Sequence, residues 1–432
     1  MNEPAVDPHA VDSKAVDSST VEPFVLDIPQ AELDDLAARL AATRWPDELP
    51  GADWSMGVSL PYLRDLAEYW RTDYDWRAQE AYLNRFPQFT TVIDGATVHF
   101  LHIRSTGADS GTDALPLLIT HGWPGSVVEF LDVIGPLTEP RAYGGEAADA
   151  FHLVIPSIPG YGLSGPTRDG GWDVRRVAMA WAELMRRLGY DRYGAQGGDW
   201  GHAITRELAA VDSEHVVAIH LNTLLTLPPD DPAEAAALTD DDRERLAQLM
   251  AAEPEMSGYA KIQGTRPQTL AYGLTDSPVG QLAWIVEKFK EWTDGAGTTP
   301  DDAVPRDRLL TNVMLYWLTA TAGSSARHYW EAAHPSRPPR TERLTTPTGV
   351  AVFAGDPARP VRRLAERDNA VVHWSEFDRG GHFAAMEEPD LFVGDVRAFF
   401  RRFRPGADPH ARPARPAQAS VNVGLTPSDV ST

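Results

Sequence analysis

Short, nearly continuous apolar segments that alternate with helical patterns constrain the fold of this chain most strongly. The segments LPLLIT and FHLVIP are typical of strands that are buried on both faces of a sheet. A helical pattern follows the second segment, with Asp173 as its predicted N-cap and Gly189 as its predicted stop. The series of β-rich segments continues with YGAQ, VVAIHL and GVAVFA. Strands that alternate with helices predict a mostly parallel sheet covered by helices on both faces.

Two helical regions stand outside this alternation. More than a hundred residues, mostly helical in pattern, separate VVAIHL from GVAVFA, which is too long for a simple connection. The sequence therefore predicts an inserted helical domain, here called the cap. Residues 24–86 also look helical and are rich in tryptophan and tyrosine, and two β-rich runs around Asp94-Gly95 then predict a hairpin.

Both ends of the chain lack apolar periodicity and are rich in small, polar and proline residues, which predicts disordered tails. The predicted segments are a tail (1–22), an N-terminal helical and aromatic extension (23–88), the first part of the α/β core (89–225), the cap (226–344), the second part of the core (345–404) and a second tail (405–432).

The composition excludes several classes of partner and site. The chain has 62 acidic and 39 basic residues, and its net charge of -23 argues against nucleic acid and anionic membranes as partners. The absence of cysteine excludes disulfides and thiolate metal sites. No apolar run reaches the length of a membrane span, and no secretory signal is visible. We therefore expect a soluble, cytoplasmic protein without a membrane anchor.

The segment YGAQGGDWGHAITRELAA places Asp199 in a tight turn between a predicted strand and a predicted helix. Small residues flank the aspartate, as in the strand–turn–helix arrangement of a nucleophile elbow. The alternative is that Asp199 only caps the following helix, which aspartate does well. The turn raises the question of why an aspartate stands where many hydrolases have a serine.

The segment THGWPGS directly follows the strand LPLLIT. In proteins with a nucleophile elbow, the loop at this place in the strand order supplies one amide of an oxyanion hole, and the residue after the nucleophile supplies the other. The corresponding amides here are those of Trp123 and Trp200. The alternative is an ordinary turn at the end of a strand.

Two further residues complete the order nucleophile, acid, histidine along the chain. Asp356 follows the β-rich segment GVAVFA, and His382 lies in RGGHFAAMEEP near the end of the predicted core. An acid at position 356 could orient the imidazole and stabilise its charged form. Taken singly, Asp356 could be the opener of an Asp-Pro turn, and His382 could be a surface or core histidine.

These segments together resemble the α/β-hydrolase-fold epoxide hydrolases, specifically the microsomal-type branch. The resemblance extends from about Val25 to Arg404 and includes the aromatic N-terminal extension. It also includes HGWPGS, PGYGLSG, GGDWG, SGYAKIQGTRPQTLAYGLTDSPVGQLAWIVEKF, LLTNVMLYWLTATAGSSARHYWE, PTGVAVFAGD and RGGHFAAMEEP. The resemblance implies an α/β-hydrolase fold with a helical cap.

The family's functional residues map onto positions of this chain. Asp199 matches the nucleophile, Asp356 the acid of the triad and His382 the base. The two cap tyrosines of the family fall on Tyr259 in SGYAKIQ and Tyr329 in ARHYWE. The chain departs from mammalian members in having a polar tail instead of a membrane anchor, and from many of them in having aspartate instead of glutamate as the acid.

The resemblance implies the hydrolysis of an epoxide to a vicinal diol without a metal or an organic cofactor. A carboxylate can open the strained C–O bond at an sp3 carbon by in-line displacement, which answers why an aspartate occupies the elbow. Tyr259 and Tyr329 would protonate the leaving oxygen, since a phenol remains protonated at neutral pH. His382, oriented by Asp356, would activate the water that hydrolyses the ester.

Two other functions stay open on the sequence alone. A haloalkane dehalogenase also uses an aspartate nucleophile, but a pair of cap tyrosines would have no role in it. A non-catalytic ligand-binding protein is the second alternative, because fold does not imply function. The sequence leaves open which small-molecule epoxide is the substrate, whether the chain is a homodimer, and whether the N-terminal extension clamps the cap.

Overall fold

A computed structural model of the chain describes residues 20–106, 114–295, 299–338, 340 and 342–404. Within these residues one sheet contains the strands β1 (Glu22–Phe24), β2 (Gln88–Ile93), β3 (Ala96–Ile103), β4 (Leu115–Thr120), β5 (Phe151–Pro156), β6 (Tyr193–Gly197), β7 (Val216–Leu221), β8 (Leu344–Phe353) and β9 (Asn369–Phe377). The α-helices are α1 (Gln30–Ala41), α2 (Leu60–Thr72), α3 (Trp76–Leu83), α4 (Leu131–Thr138), α5 (Val174–Arg187), α6 (Trp200–Val211), α7 (Pro232–Ala236), α8 (Asp240–Met256), α9 (Gly258–Thr265), α10 (Pro267–Asp276), α11 (Pro278–Trp292), α12 (Arg306–Leu318), α13 (Ala322–Ala333), α14 (Arg362–Asp368), α15 (Ala384–Glu387) and α16 (Pro389–Phe400).

The strand order in the sheet is β1-β2-β3-β5-β4-β6-β7-β8-β9. The strands from β1 through β3 to β5 pair antiparallel, and all pairs from β5 to β9 are parallel. This topology confirms the predicted mostly parallel sheet. It also brings the carboxyl ends of β4, β6, β7 and β8 to one edge, which is where α/β sheets bind their ligands.

The central strands form because their side chains are apolar on both faces. Leu117 and Leu118 of β4 are successive residues on opposite faces, and both are fully buried. The helix α5 covers the sheet, and the Asp173 side chain accepts a hydrogen bond from the Arg176 amide at its start. Gly189, with φ +77°, follows its end, so both predicted helix boundaries are confirmed.

The predicted hairpin is also confirmed, as β2 and β3 pair around Asp94-Gly95. The φ angles of these two residues are +48° and +80°, which is the backbone of a type I′ turn. The extension differs in part from the sequence prediction, because residues 42–59 between α1 and α2 form no α-helix. Glu22, assigned to the tail from sequence, instead belongs to β1, and residues 1–19 and 405–432 of the predicted tails lie outside the described residues.

The segment between β7 and β8 forms the helices α7 to α13. The N-terminal helix α2 packs against α12 of this segment, where the Trp70 indole N–H donates to the Met314 sulfur at 3.2 Å. The Tyr69 hydroxyl donates to Asp307 at 2.7 Å across the same contact. The strand β8 begins at Leu344, the last residue of the predicted cap.

None of the helices in the described part of the chain is both long and apolar enough to cross a lipid bilayer.

Candidate active site

Asp199 occupies the turn between β6 and α6 with a left-handed backbone, φ +48° and ψ -129°. A residue with a Cβ is strained in this region, and such strain is typical of functional turns. The elements around this turn approach each other closely: a Cβ on Gly201 would collide with the carbonyl oxygen of Thr120 at the end of β4. Glycine at this position therefore lets α6 approach β4, and the turn presents the Asp199 carboxylate at the carboxyl edge of the sheet.

Two backbone amides hold the Asp199 carboxylate. The Trp123 amide, in the loop after β4, donates to Oδ1 at 2.8 Å, and the Trp200 amide at the start of α6 also donates to the carboxylate. Desolvation would raise the pKa of Asp199, but His382 and these amides outweigh it and hold the pKa below its ordinary value. The carboxylate is therefore ionised at neutral pH.

His121 fixes the loop that carries the Trp123 amide. Its Nδ1 lies 2.9 Å from the Gly122 carbonyl oxygen, and its Nε2 accepts from the Ile158 amide at 3.2 Å. Burial lowers the pKa of His121 to about 4, so the ring is neutral, with its proton on Nδ1. The imidazole thus ties the loop after β4 to the loop after β5.

The His382 imidazole lies between the two aspartates. Its Nε2 is 3.4 Å from Asp199 Oδ2, and its Nδ1 is 3.6 Å from Asp356 Oδ1, which is longer than a hydrogen bond. Burial would lower the pKa of His382, but Asp356 and Asp199 outweigh it and hold the pKa above its ordinary value. In this resting arrangement the charged imidazolium pairs with both carboxylates.

Neighbouring polar groups hold Asp356 in place. The Thr223 hydroxyl donates to Oδ2 at 3.0 Å, and the Ala358 amide donates to Oδ1 at 2.9 Å. The side chain is buried, at the carboxyl end of β8. The carboxylate faces His382 with its orientation fixed by the loops after β7 and β8.

Tyr259 of α9 and Tyr329 of α13 meet above the elbow. The Tyr329 hydroxyl lies 3.5 Å from the Tyr259 hydroxyl. The Tyr259 ring stacks on the Trp123 indole with 4.9 Å between centroids, and the Tyr329 ring packs edge-on against Trp200, also at 4.9 Å. Burial raises the pKa of both phenols, and the negative charge of Asp199 adds to the rise. Both tyrosines are therefore protonated hydrogen-bond donors.

The structure brings together all seven residues singled out from sequence: Asp199, Asp356, His382, Tyr259, Tyr329, Trp123 and Trp200. Sequence reasoning did not single out His121 or Thr223, because no spacing rule marks them. It also missed the buried Lys288, whose ammonium lies 4.9 Å from the Tyr259 ring centroid and 2.7 Å from Glu291. Across the part of the chain that the structure describes, no group of three or more His, Asp or Glu side chains is arranged to hold a metal ion.

Comparison with known proteins assigns two family models to this chain. The model described as "Epoxide hydrolase N terminus" matches residues 21–130, and the model described as "alpha/beta hydrolase fold" matches residues 116–254. The two matches together contain the extension, Trp123, Trp200 and the turn at Asp199.

Relatives match over most of their length. A Stigmatella aurantiaca protein named "Putative epoxide hydrolase" is 49% identical over 385 residues, which is 89% of this chain and 86% of that protein. "Epoxide hydrolase 1" of Sus scrofa is 35% identical and covers 88% of each chain. The crystal structure of juvenile hormone epoxide hydrolase from the silkworm Bombyx mori superposes with a TM-score of 0.79 at 31% identity, over 87% of this chain and 93% of that one.

Proposed function

This chain belongs to the microsomal-type epoxide hydrolases of the α/β-hydrolase fold and hydrolyses an epoxide, and from that premise we propose that the reaction runs through a covalent ester on Asp199. The observation that carries the proposal is the environment of the Asp199 carboxylate. Oδ1 accepts from the Trp123 amide at 2.8 Å, while Oδ2 faces His382 at 3.4 Å. An ionised carboxylate that is held in one orientation at the elbow can act as a nucleophile.

In the first step, Asp199 Oδ2 attacks one carbon of the epoxide. A new C–O bond forms to the carboxylate as the ring C–O bond breaks, and the electron pair of that bond stays on the ring oxygen. Tyr259 and Tyr329 donate hydrogen bonds to this oxygen, and one of them transfers its proton. Because burial keeps both phenols protonated, they are donors at neutral pH, where Asp199 is ionised.

The ester has no negative charge, so the support that Asp199 gives to the imidazolium is lost and the pKa of His382 falls. The imidazolium then gives up its proton, which replaces the proton that the tyrosine lost in the first step. In the second step, a water molecule attacks the carbonyl carbon of the ester and the neutral His382 takes its proton. Asp356 continues to stabilise the charged imidazole that forms. The Trp123 and Trp200 amides stabilise the oxyanion, and one such donor is worth about 3 kcal/mol. Collapse of the tetrahedral intermediate releases the diol and restores the carboxylate.

We further propose that residues 226–344 act as a cap. The helices α9 and α13 bring Tyr259 and Tyr329 over the elbow and cover it from the solvent side, which limits the access of bulk water. The contact of α2 with α12 supports the idea that the N-terminal extension clamps this cap.

A single turnover in H2(18)O tests the covalent route. An excess of enzyme reacts with styrene oxide, and the diol and the peptide that contains Asp199 are then analysed by mass spectrometry. We expect the label in the Asp199 peptide and a mostly unlabelled diol, because water attacks the carbonyl carbon of the ester. Label in the diol alone would mean direct attack by water, and the proposal would fall. The Asp199→Ala protein is the control and should neither turn over nor take up label.

A further inference from the structure

A small cavity lies next to the proposed nucleophile. Asp199, His382 and Glu129 contribute to its wall, and its volume is about 10 Å³. A cavity of that size accommodates one water molecule, provided that polar groups are available to bind it. The three side chains supply carboxylate oxygens and an imidazole nitrogen for such a molecule.

Glu129 reaches this cavity from the short 3₁₀ helix Val127–Phe130 that follows the loop after β4. The amides of Gly122 and Ser126 hydrogen-bond its carboxyl group. A Cβ on Gly125 would overlap with Glu129 Oε1, so the glycine of the HGWPGS segment makes room for this side chain. Glu129 is thus held in one orientation by its own loop.

Glu129 has no role in either step of the proposed reaction as given so far. Burial raises the pKa of Glu129 to about 8, with a further rise from Asp199 and an opposing effect from His382. A second carboxyl group beside the nucleophile and the base is costly for stability unless it is neutral or has a partner. A buried carboxyl group beside two reactive side chains is therefore typical of a functional residue.

We propose that this cavity holds the water molecule that hydrolyses the ester, and that Glu129 is the positioning residue that orients this water between His382 and the carbonyl carbon of Asp199. The proposal rests on the covalent route and refines its second step. His382 can accept one proton of the water, and Glu129 is placed to hold its other proton, which directs a lone pair of the oxygen toward the ester.

The order of events limits Glu129 to one step, because the water that it holds takes part only in the hydrolysis of the ester. Glu129 would therefore act on ester hydrolysis and not on ester formation.

The test measures the two steps separately in the full-length Glu129→Gln protein. The amide oxygen of glutamine can still accept from the loop amides, which favours normal folding. Enzyme in excess is mixed with styrene oxide, the reaction is quenched at intervals, and the ester is quantified by intact-protein mass spectrometry. We expect ester formation within twofold of the wild-type rate and ester hydrolysis slowed at least tenfold, so that the ester accumulates.

The Asp132→Asn protein is the matched control. Asp132 is three residues further along the chain, is partly exposed and pairs with Arg308 at 2.8 Å, so it loses an acidic charge without facing the cavity. Both steps should match the wild type. Should the glutamine protein not fold, Glu129→Asp retracts the carboxyl group by one methylene and should give the same selective loss of hydrolysis.

Two results would overturn the inference while leaving the covalent route intact. One is ester hydrolysis in the Glu129→Gln protein within twofold of the wild type. The other is an equal slowing of both steps, which would make Glu129 a structural residue of the loop. Diol formation without any detectable ester in either protein would overturn the covalent route itself and this inference with it.

Discussion

Trp123 serves the site through two different groups. Its amide binds Asp199 Oδ1 at 2.8 Å, and its indole stacks on the Tyr259 ring. The stacking geometry is nearly parallel, with an interplanar angle of 8°. Trp123 therefore contacts both the proposed nucleophile, Asp199, and a proposed proton donor, Tyr259. Its rigid aromatic packing fixes the distance between these two groups.

The two tyrosines provide a prediction about ester formation. Because their hydroxyls lie 3.5 Å apart, each can partly replace the other as a donor to the leaving oxygen. We expect Tyr259→Phe and Tyr329→Phe each to slow ester formation about 10- to 100-fold, and the double variant to slow it about 1,000-fold or more. Rapid-quench measurement of the ester checks this, with a near-ultraviolet spectrum of each variant as the folding control. A double variant that forms ester at the rate of either single variant would contradict the pairing.

His382 provides a prediction about the other step. The base acts on water only after the ester has formed, so His382→Gln should still form ester and then fail to hydrolyse it. We expect hydrolysis to fall at least about 100-fold, the lower end of what a general base contributes. Intact-protein mass spectrometry should show nearly stoichiometric ester that persists for minutes. Ester that this variant hydrolyses at the wild-type rate would show that His382 is not the base.

Among the elements, a buried acid of α16 connects this helix to two strands of the sheet, β7 and β9. Asp395 of α16 accepts from His220 of β7 at 2.9 Å, from His373 of β9 at 2.7 Å and from the Ser375 hydroxyl at 2.5 Å. Burial would raise the pKa of Asp395, but the hydrogen bonds from the two histidines outweigh it and lower the pKa. The carboxylate therefore contributes to the stability of the packing of α16 on the sheet.

This contribution predicts a pH-dependent loss of stability in the Asp395→Asn protein. We expect the free energy of unfolding at pH 7 to fall by about 2–3 kcal/mol, measured by urea denaturation. The folded-state pKa is lower than the unfolded one, so the contribution is complete above about pH 4 and is lost as the pH falls further. The difference in the free energy of unfolding between the Asp395→Asn protein and the wild type should therefore become smaller below about pH 4.

The control is Asp390→Asn on the same helix, where Asp390 is an exposed partner of Arg379. This variant should change the free energy of unfolding by less than about 0.5 kcal/mol. A difference that is constant with pH would contradict the assigned role.

The elements that could be predicted from sequence are those with a physical signature in their own residues. The interior strands β4 and β5 are apolar on both faces, and α5 carries its own N-cap at Asp173. The strand β9 was not predicted, because it lies at the edge of the sheet and most of its residues are only partly buried, so NAVVHWSEF lacks an apolar run. The strand β1 is three residues long and forms through its pairing with β2, which lies more than sixty residues away.

The residues of the site also fall into two groups, those that a local sequence pattern marks and those that it does not. Asp199, Trp200 and Trp123 could be located from sequence because strand ends and tight turns leave a local pattern. Tyr259 and Tyr329 could be selected only through the family resemblance, since they lie on separate helices that meet in three dimensions. Glu129 could not be found, because its place beside Asp199 depends on how a 3₁₀ helix packs under the elbow.

The N-terminal extension is part of the same hydrophobic core as the sheet and the segment 226–344. Leu66 of α2 is fully buried, and Trp70 is 4% exposed, with its indole N–H on Met314 of α12. The Tyr62 hydroxyl donates to Asp301 at 2.7 Å, and the Tyr69 hydroxyl donates to Asp307. These contacts join α2 to the same segment that carries the two proposed proton donors.

We therefore expect a protein that lacks residues 1–86 to lose both cooperative unfolding and epoxide hydrolysis. Removal of α2 would uncover the apolar face of α12, and each large side chain returned to water costs about 1.5–3 kcal/mol, so several together exceed the stability of a typical domain. Size-exclusion chromatography, thermal denaturation and kcat/KM for styrene oxide measure the outcome. Removal of residues 1–19 alone is the control and should leave Tm and kcat/KM unchanged, as expected for a tail without apolar periodicity. A monomeric, cooperatively unfolding and fully active protein without residues 1–86 would show that the extension covers the segment 226–344 without holding it.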